Sequence, residues 1–498
     1  MFKSFNRKRL KETSVLNTDK FDKRRFEQLY QMSKGLQRIE QNESLPLFKE
    51  LLRDIWASLF KVNPELKEDA EIDRRLFPNK KIMERIMKDE NYKNYRESTQ
   101  LDDMLSAIAT INFGHQTNQW LQDEILKNEE LQKRVSKIMK LMDQIQKNEQ
   151  NNRPEENDQN NGAEGQDQGS SKSEQELDQA MDSLANELAN ALDFNSKSFS
   201  HAMQNAVDST KDAKNGLEAL FGGKSAGNQK GELTKVPLRD KIAIAEKITF
   251  DQKFKKIANW VGRYTEIAQT KQKSKYKTMT EQSGIETGDD IERIIPSELV
   301  MYKNPATKKE FLRRFIEKET LQYEQKGKET LGKGSIIVCL DQSGSMRSKE
   351  EQSKGFALAF LSIAKKQKRN FAYIPFDSSI GKVRFFPKGK VKTNEIIELA
   401  MEFLDGGTKF IPPLTEALNV IKKDSFKDAD IIFITDGESS MDQRFIEKFN
   451  KQKERDGFQV LTLLLGSSGF ENEIEFVSDK VIKAETLNDE GTFELFEI

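Results

Sequence analysis

Apolar residues recur at steps of three and four through the first 149 residues, as in FEQLYQMSKGLQRI and SLPLFKELLRDIWASLFKV. That spacing gathers them on one face of an α-helix, and no strand-like alternation or Asn-Gly hairpin interrupts it. The pattern predicts a helical domain over 1–149. From 150 to 176 the chain reads QNNRPEENDQNNGAEGQDQGSSKSEQE, without one large apolar residue. Such a stretch cannot bury enough surface to offset its ordering entropy, so a flexible polar linker is expected. Helical spacing resumes at LDQAMDSLANELANALDF, and a Gly/Lys-rich break follows at 222–231. Phe250, Phe254, Ile257, Val261, Tyr264 and Ala268 then alternate steps of four and three. This stripe predicts a helix packed on its own domain, with a partner-binding helix as the other use of such a face. A helix over Asp289–Ile295, stopped by Pro296, and a Lys/Arg-rich helix, KKEFLRRFIEKETLQYEQKGK, complete an expected helical middle region, 177–327.

After Ser335 the texture changes. Apolar runs at Ile336–Leu340, Phe371–Phe376, Val383–Phe386, Ile431–Thr435, Val460–Leu465 and Val481–Ala484 have the length and β-branched content of buried strands. Helical patterns at Lys349–Lys368, Thr393–Leu404, Pro412–Lys422 and Asp442–Glu454 separate most of them. Alternation of this kind implies a mainly parallel, doubly wound, Rossmann-like sheet with helices on both faces. The expected fold is therefore an α-helical N-terminal region joined to an α/β C-terminal domain, 328–498. In such sheets ligands bind beyond the carboxyl ends of the strands, at a topological switch point.

One stretch lies where that rule places a ligand: SIIVCLDQSGSMRSKEE, in which a buried strand runs straight into Asp341, Ser343 and Ser345. Two further oxygen donors occupy similar positions, Thr408 in FLDGGTKFIPP and Asp436 in IIFITDGESS. Gly344, Gly406, Gly407 and Gly437 would let the backbone turn tightly around them. Two carboxylates and three hydroxyls suit a hard cation, Mg2+ or Mn2+, which prefers six oxygen ligands and retains water. Five donors leave one position open to water or an external carboxylate.

Composition excludes much else. Lys and Arg number 81 against 82 Asp and Glu, so bulk nucleic-acid binding is not expected. Cys339 is the single cysteine, which rules out an internal disulfide and a cysteine-based zinc site, and fits a reducing cytoplasm. The start, MFKSFNRKRLKETS, lacks an apolar core for a secretory signal, and the longest apolar run, VLTLLL, is far shorter than a membrane span. A soluble cytoplasmic protein is expected, with peripheral membrane contact through the Lys/Arg-rich helix left open. His115 and His201 are the only histidines, too few for most catalytic constellations, and a packed or solvated role is expected for each. Two near-misses to a phosphate loop fail. GKETLGKGS has Gly334 where a Ser or Thr should hold Mg2+, and GLEALFGGKS has Glu218 in place of the first glycine. No second acid stands two residues after Asp341, as an aspartyl-phosphate enzyme would want, since Ser343 is there.

Asp341, Ser343, Ser345, then Thr408, then Asp436 before Gly437 resembles the metal-ion-dependent adhesion site of von Willebrand factor type A domains. By that resemblance the five residues are the metal ligands, and the ion takes an Asp or Glu from a partner protein. The segment GDDIERIIPSELVMYKNPATKKEFLRRFIEKETLQYEQKGKETLGKGSIIVCLDQSGSM is similar to the ViaA-type proteins, which are bacterial. The resemblance implies a MoxR-family AAA+ ATPase as partner and a non-enzymatic adaptor that stimulates it or targets it to client complexes. An ATPase-independent scaffold and a metal-dependent hydrolase are the alternatives.

Overall fold

The computed structural model describes residues 13–151, 167–221, 236–278, 282–289, 291, 294–325, 334–466 and 473–497. They fall into two compact units, Met1–Asn259 and Trp260–Ile498.

The first unit is helical: α1 (Lys20–Met32), α2 (Lys34–Gln41), α3 (Phe48–Phe60), α4 (Phe77–Lys88), α5 (Glu90–Arg96), α6 (Asp103–Lys127), α7 (Glu129–Asn151), α8 (Asp167–Phe194), α9 (Ser196–Phe221) and α10 (Leu238–Phe250). Helix α11 (Gln252–Thr278) carries the boundary to the second unit. Side chains start several of these helices cleanly. Asp19 accepts from the Asp22 amide at 2.8 Å while Asp22 accepts from the Asp19 amide, and Ser33 and Asp102 cap α2 and α6 by accepting the Leu36 and Leu105 amides. Helix α6 packs along α9 and α3, and α7 along α8. Leu51, Ile55 and Trp56 of α3 share one buried core with Leu184 and Leu188 of α8 and Phe199 and Met203 of α9.

That core moves the expected division of the chain. Residues 177–221 belong with 1–149, because α8 and α9 offer the apolar faces that α6 and α7 need. Of the expected linker 150–176, residues 152–166 lie outside the described residues, whereas Asp167 onward already forms α8. The break at 222–231 and the lysines of both phosphate-loop near-misses also lie outside them. The apolar stripe is split: Phe250 closes α10, and Asp251 opens α11 by accepting the Phe254 amide at 3.1 Å. Phe254 and Ile257 are buried in the first unit and Val261, Tyr264 and Ala268 in the second, so the stripe packs within the chain. His115 lies edge-on to Phe250 at 5.1 Å with burial pushing its pKa down, and His201 is exposed.

Helix α3 also buries Asp54 completely, its oxygens accepting from Ser14 Oγ at 2.5 Å and the Val15 amide at 3.2 Å. Burial outweighs those bonds and the Arg53 charge, and pushes the carboxyl up to about 6. The folded chain therefore holds this proton more tightly than the unfolded one. The group's contribution to stability is complete below the unfolded value of 3.8 and is lost as pH rises through about 6. Urea unfolding between pH 4 and 8 is expected to show a loss on the order of 3 kcal/mol in wild type that Asp54→Asn lacks. Parallel pH profiles for the two proteins would refute it.

The second unit opens with β1 (Gln282–Gly288) paired antiparallel to β2 (Thr320–Gln325), with α12 (Pro296–Lys303) and α13 (Lys308–Ile316) between them. Two expected helices are corrected here. Pro296 starts a helix instead of ending one: Ile295 before it is extended, as residues before proline prefer, and Ile294 bridges Gln322. The Lys/Arg-rich helix stops at Ile316, where Lys318 turns left-handed at φ 60° and the chain enters β2. The middle region is thus not wholly helical. Two of the cations of α13 are paired, Arg313 with Glu310 at 2.7 Å and Arg314 with Glu298 of α12 at 2.9 Å.

Next comes a six-stranded sheet of β3 (Ile336–Asp341), β4 (Phe371–Phe376), β5 (Arg384–Phe386), β6 (Asp430–Thr435), β7 (Val460–Leu465) and β8 (Lys480–Ala484). Its order is β5-β4-β3-β6-β7-β8, parallel except for the short edge strand β5. Helices α14 (Glu350–Gln367), α15 (Thr393–Met401), α16 (Ile411–Ile421) and α17 (Gln443–Asp456) fall between strands within a few residues of the expected spans. Ile337 and Cys339 of β3 turn one way, into a core with Leu414 and Ala417 of α16 and Phe449 of α17. Ile336, Val338 and Leu340 turn the other way, toward α14, so β3 is buried on both faces. The winding reverses between β3 and β6, which opens a crevice where those two strands end.

Candidate metal centre

Strand β3 delivers Asp341 to that crevice. Its register runs Ile336 opposite Asp430 to Leu340 opposite Ile434, so β3 and β6 end side by side. Asp341 is 1% exposed. One carboxylate oxygen accepts the Ser343 amide at 2.8 Å, a tight turn that sends the chain back across the strand end. The other accepts Thr435 Oγ1 at 2.5 Å. Ser343 Oγ and Ser345 Oγ lie 3.0 Å apart, and Ser345 Oγ donates to Asp436 Oδ1 at 2.7 Å. Four of the five expected residues thus form one hydrogen-bonded chain across β3 and β6.

Thr408 arrives on the loop between α15 and α16. A Cβ added to Gly437 would stand 2.8 Å from Thr408 Oγ1, so the hydroxyl lies directly over the residue that follows Asp436. Only a glycine at 437 leaves room for it. The loop is held by backbone bonds to both neighbouring strands' ends: Gly344 N to Gly406 O at 2.9 Å, Asp405 N to Gln342 O at 2.9 Å, and Lys409 N to Asp377 O at 3.0 Å. All five residues are brought together on one rim.

The electrostatics of the rim suit a cation. Burial pushes the Asp341 carboxyl up, the Thr435 and Ser343 hydrogen bonds oppose this, and the charge of Asp436 adds to it. Two carboxylates therefore meet in a poorly solvated crevice whose other oxygen ligands would be neutral hydroxyls, with the Lys349 ammonium against one of the two. A divalent ion would relieve that repulsion, and oxygen ligands alone favour Mg2+ or Mn2+ over softer metals. Among the described residues no group of three or more His, Cys, Asp or Glu side chains is arranged to hold a metal, so any ion here would rely on the hydroxyls.

Several contributors escape a reading of the sequence. Thr435 binds Asp341, and Gln342 Nε2 donates to the buried Tyr373 hydroxyl at 2.7 Å. Lys349 pairs with Asp436 Oδ2 at 2.6 Å. Arg347 pairs with Asp405 on the Thr408 loop and lies over the Phe403 ring. Beneath the rim the fully buried Lys354 joins Glu350 at 2.6 Å and donates to the carbonyls of Ala400, at 2.9 Å, and Glu402. None belongs to the spaced motif. Thr435 alone left a signal, as a polar residue ending an apolar strand.

Residues 336–438 match the family model of the von Willebrand factor type A domain, a span that holds all five candidate residues. Over 97% of its length the chain is 29% identical to an uncharacterized protein of Methanocaldococcus jannaschii, 99% of which is covered. It is 26% identical to the regulatory protein ViaA of Proteus mirabilis over 47% of the chain and 55% of that protein. The ViaA protein of Photorhabdus laumondii is 31% identical over 31% of the chain and 35% of its own length. The domain match and the sheet order that carries it agree: residues 336–438 form a von Willebrand factor type A domain, in a chain that is similar in part to the regulatory protein ViaA.

Proposed function

We propose that this chain is a non-enzymatic adaptor that binds a partner protein through a divalent cation held by Asp341, Ser343, Ser345, Thr408 and Asp436. The observation that carries this reading is the meeting of those five residues, from three loops, at the end of β3 and β6. When bound, Mg2+ or Mn2+ supplies a Lewis-acidic position for a carboxylate of the partner. The chain's own residues do the rest. Ser343 and Thr435 hold Asp341 in one orientation, Ser345 does so for Asp436, and the tethered Gly406–Thr408 loop sets where Thr408 stands. One charge-assisted contact of this kind gives specificity, and the surface around it gives area.

The partner we propose is a MoxR-family AAA+ ATPase in the cytoplasm, with the chain stimulating it or directing it to a client that presents an Asp or Glu. Similarity to proteins named as regulatory supports a regulatory role. Both histidines lie in the first unit, so the second unit has no histidine of its own to act as general base, which disfavours a hydrolase. No helix among the described residues is long and apolar enough to cross a membrane.

The test is affinity capture of the tagged chain from its own cells in Mg2+ and in EDTA, with Asp341→Ala as control and mass spectrometry as readout. A MoxR-type ATPase retained by wild type in Mg2+ and lost in both controls is the expected result. Retention in all three would place the metal elsewhere than that interface. Absence of any such ATPase would leave a scaffold that uses the cation for another acidic partner.

A further inference from the structure

The short 3-10 segment Gly344–Lys349 joins the Asp341 turn to α14 and reaches both other loops of the rim. At its start Gly344 N binds Gly406 O and Ser345 Oγ binds Asp436. At its end Arg347 pairs with Asp405 and Lys349 with Asp436. Of these contacts the last is chemically conspicuous. Asp436 has a side chain only 4% exposed, and the Lys349 ammonium sits 2.6 Å from its second oxygen. The first oxygen is already taken by Ser345. Each oxygen of one of the two candidate metal carboxylates thus has a partner, and one of those partners is a full positive charge.

An ammonium and a divalent ion on the same buried carboxylate repel each other strongly where solvent screening is poor, so each weakens the other's hold on it. We infer that Lys349 is an internal counter-cation of the metal site, which a divalent ion must displace from Asp436 in order to bind. The inference rests on the proposed metal site and adds a property to it. Lys349 sets how much free metal the site needs, and its ammonium is released when the ion enters. Its side chain is 27% exposed, enough freedom to swing away into water without disturbing the sheet.

The test uses the full chain and the metal alone. Mn2+ binding, followed by electron paramagnetic resonance of the free ion, is compared in wild type, Lys349→Met and Lys349→Arg. Lys349→Met is expected to bind Mn2+ about tenfold more tightly, as removal of a competing unit charge implies. Lys349→Arg, which keeps the charge, is expected to stay near wild type. In wild type, reductive methylation of Lys349, read by peptide mass spectrometry, is expected to accelerate when Mg2+ is added, a readout that needs no variant to fold. Equal Mn2+ affinity in wild type and Lys349→Met, or methylation indifferent to Mg2+ in a chain that binds it, would overturn this inference and leave the metal site standing. Failure of all three proteins to bind Mn2+ would overturn both.

Discussion

Millimolar Mg2+ is expected to raise the melting temperature of the wild-type chain and to leave that of Asp341→Ala where it was. An ion that binds only the native state adds RT ln(1 + [L]/Kd), about 2.7 kcal/mol at a hundredfold excess over Kd. For a unit of this size that is a rise of roughly 5–11 °C in the transition that unfolds the β3–β8 sheet. Asp341 is the residue whose loss should remove it all, because its carboxylate stands at the end of the central strand, between the serine turn and Asp436. Without metal the substitution should cost much less. The Ser343 amide and Thr435 hydroxyl lose an acceptor, while a buried charge that Asp436 repels is removed as well. Differential scanning calorimetry of both proteins in EDTA and over a MgCl2 series separates the two effects. An equal Mg2+-induced rise in wild type and Asp341→Ala would show that the ion binds elsewhere.

The parts of this fold that show in the sequence are those governed by one local rule. Strands β3, β4, β6 and β7 are buried on both faces, so each is a continuous apolar run that little else could produce. The donors Asp341, Thr408 and Asp436 were legible for a related reason. Thr408 and Asp436 each adjoin a glycine where a helix begins or an apolar run ends, and Asp341 ends such a run three residues before Gly344. What failed depends on tertiary context. Pro296 both ends and starts helices, and only the pairing of Ile294 with Gln322 decides which. The stretch from Thr320 has a composition that a helix tolerates, yet it pairs with β1. Polar partners were the least legible. Lys349 and Asp436 are 87 residues apart, and Thr435 and Asp341 are 94 apart, so no spacing along the chain announces either contact. The division of domains failed for the same reason. A polar stretch marks where the chain is free of core, not which helices share one, and α8 and α9 bury their apolar faces against α6 and α7 across it.

Lys354→Ala is expected to destabilise the second unit by about 3–5 kcal/mol, the usual cost of stripping one partner from a buried ion pair. The ammonium is fully buried, 2.6 Å from Glu350, itself 7% exposed, and it also binds the last carbonyls around the end of α15. Its removal leaves a carboxylate facing an apolar gap and frees the carbonyls of Ala400 and Glu402, just before the loop that carries Thr408. Amide hydrogen exchange in β3 and β6 should therefore accelerate by roughly two to four orders of magnitude wherever it proceeds through global opening of the unit. The comparison with Glu350→Gln/Lys354→Met decides the cause. With both charges gone and the volume nearly kept, most of the lost stability should return, since such a pair seldom outperforms an apolar replacement. The loop ties would not return with it, because methionine cannot donate to Ala400 O or Glu402 O. The double variant should then be nearly as stable as wild type yet bind Mn2+ more weakly, through a less firmly placed Thr408. Wild-type Mn2+ affinity in that variant would mean that Lys354 serves the fold alone, and exchange rates unchanged in Lys354→Ala would mean that it serves neither.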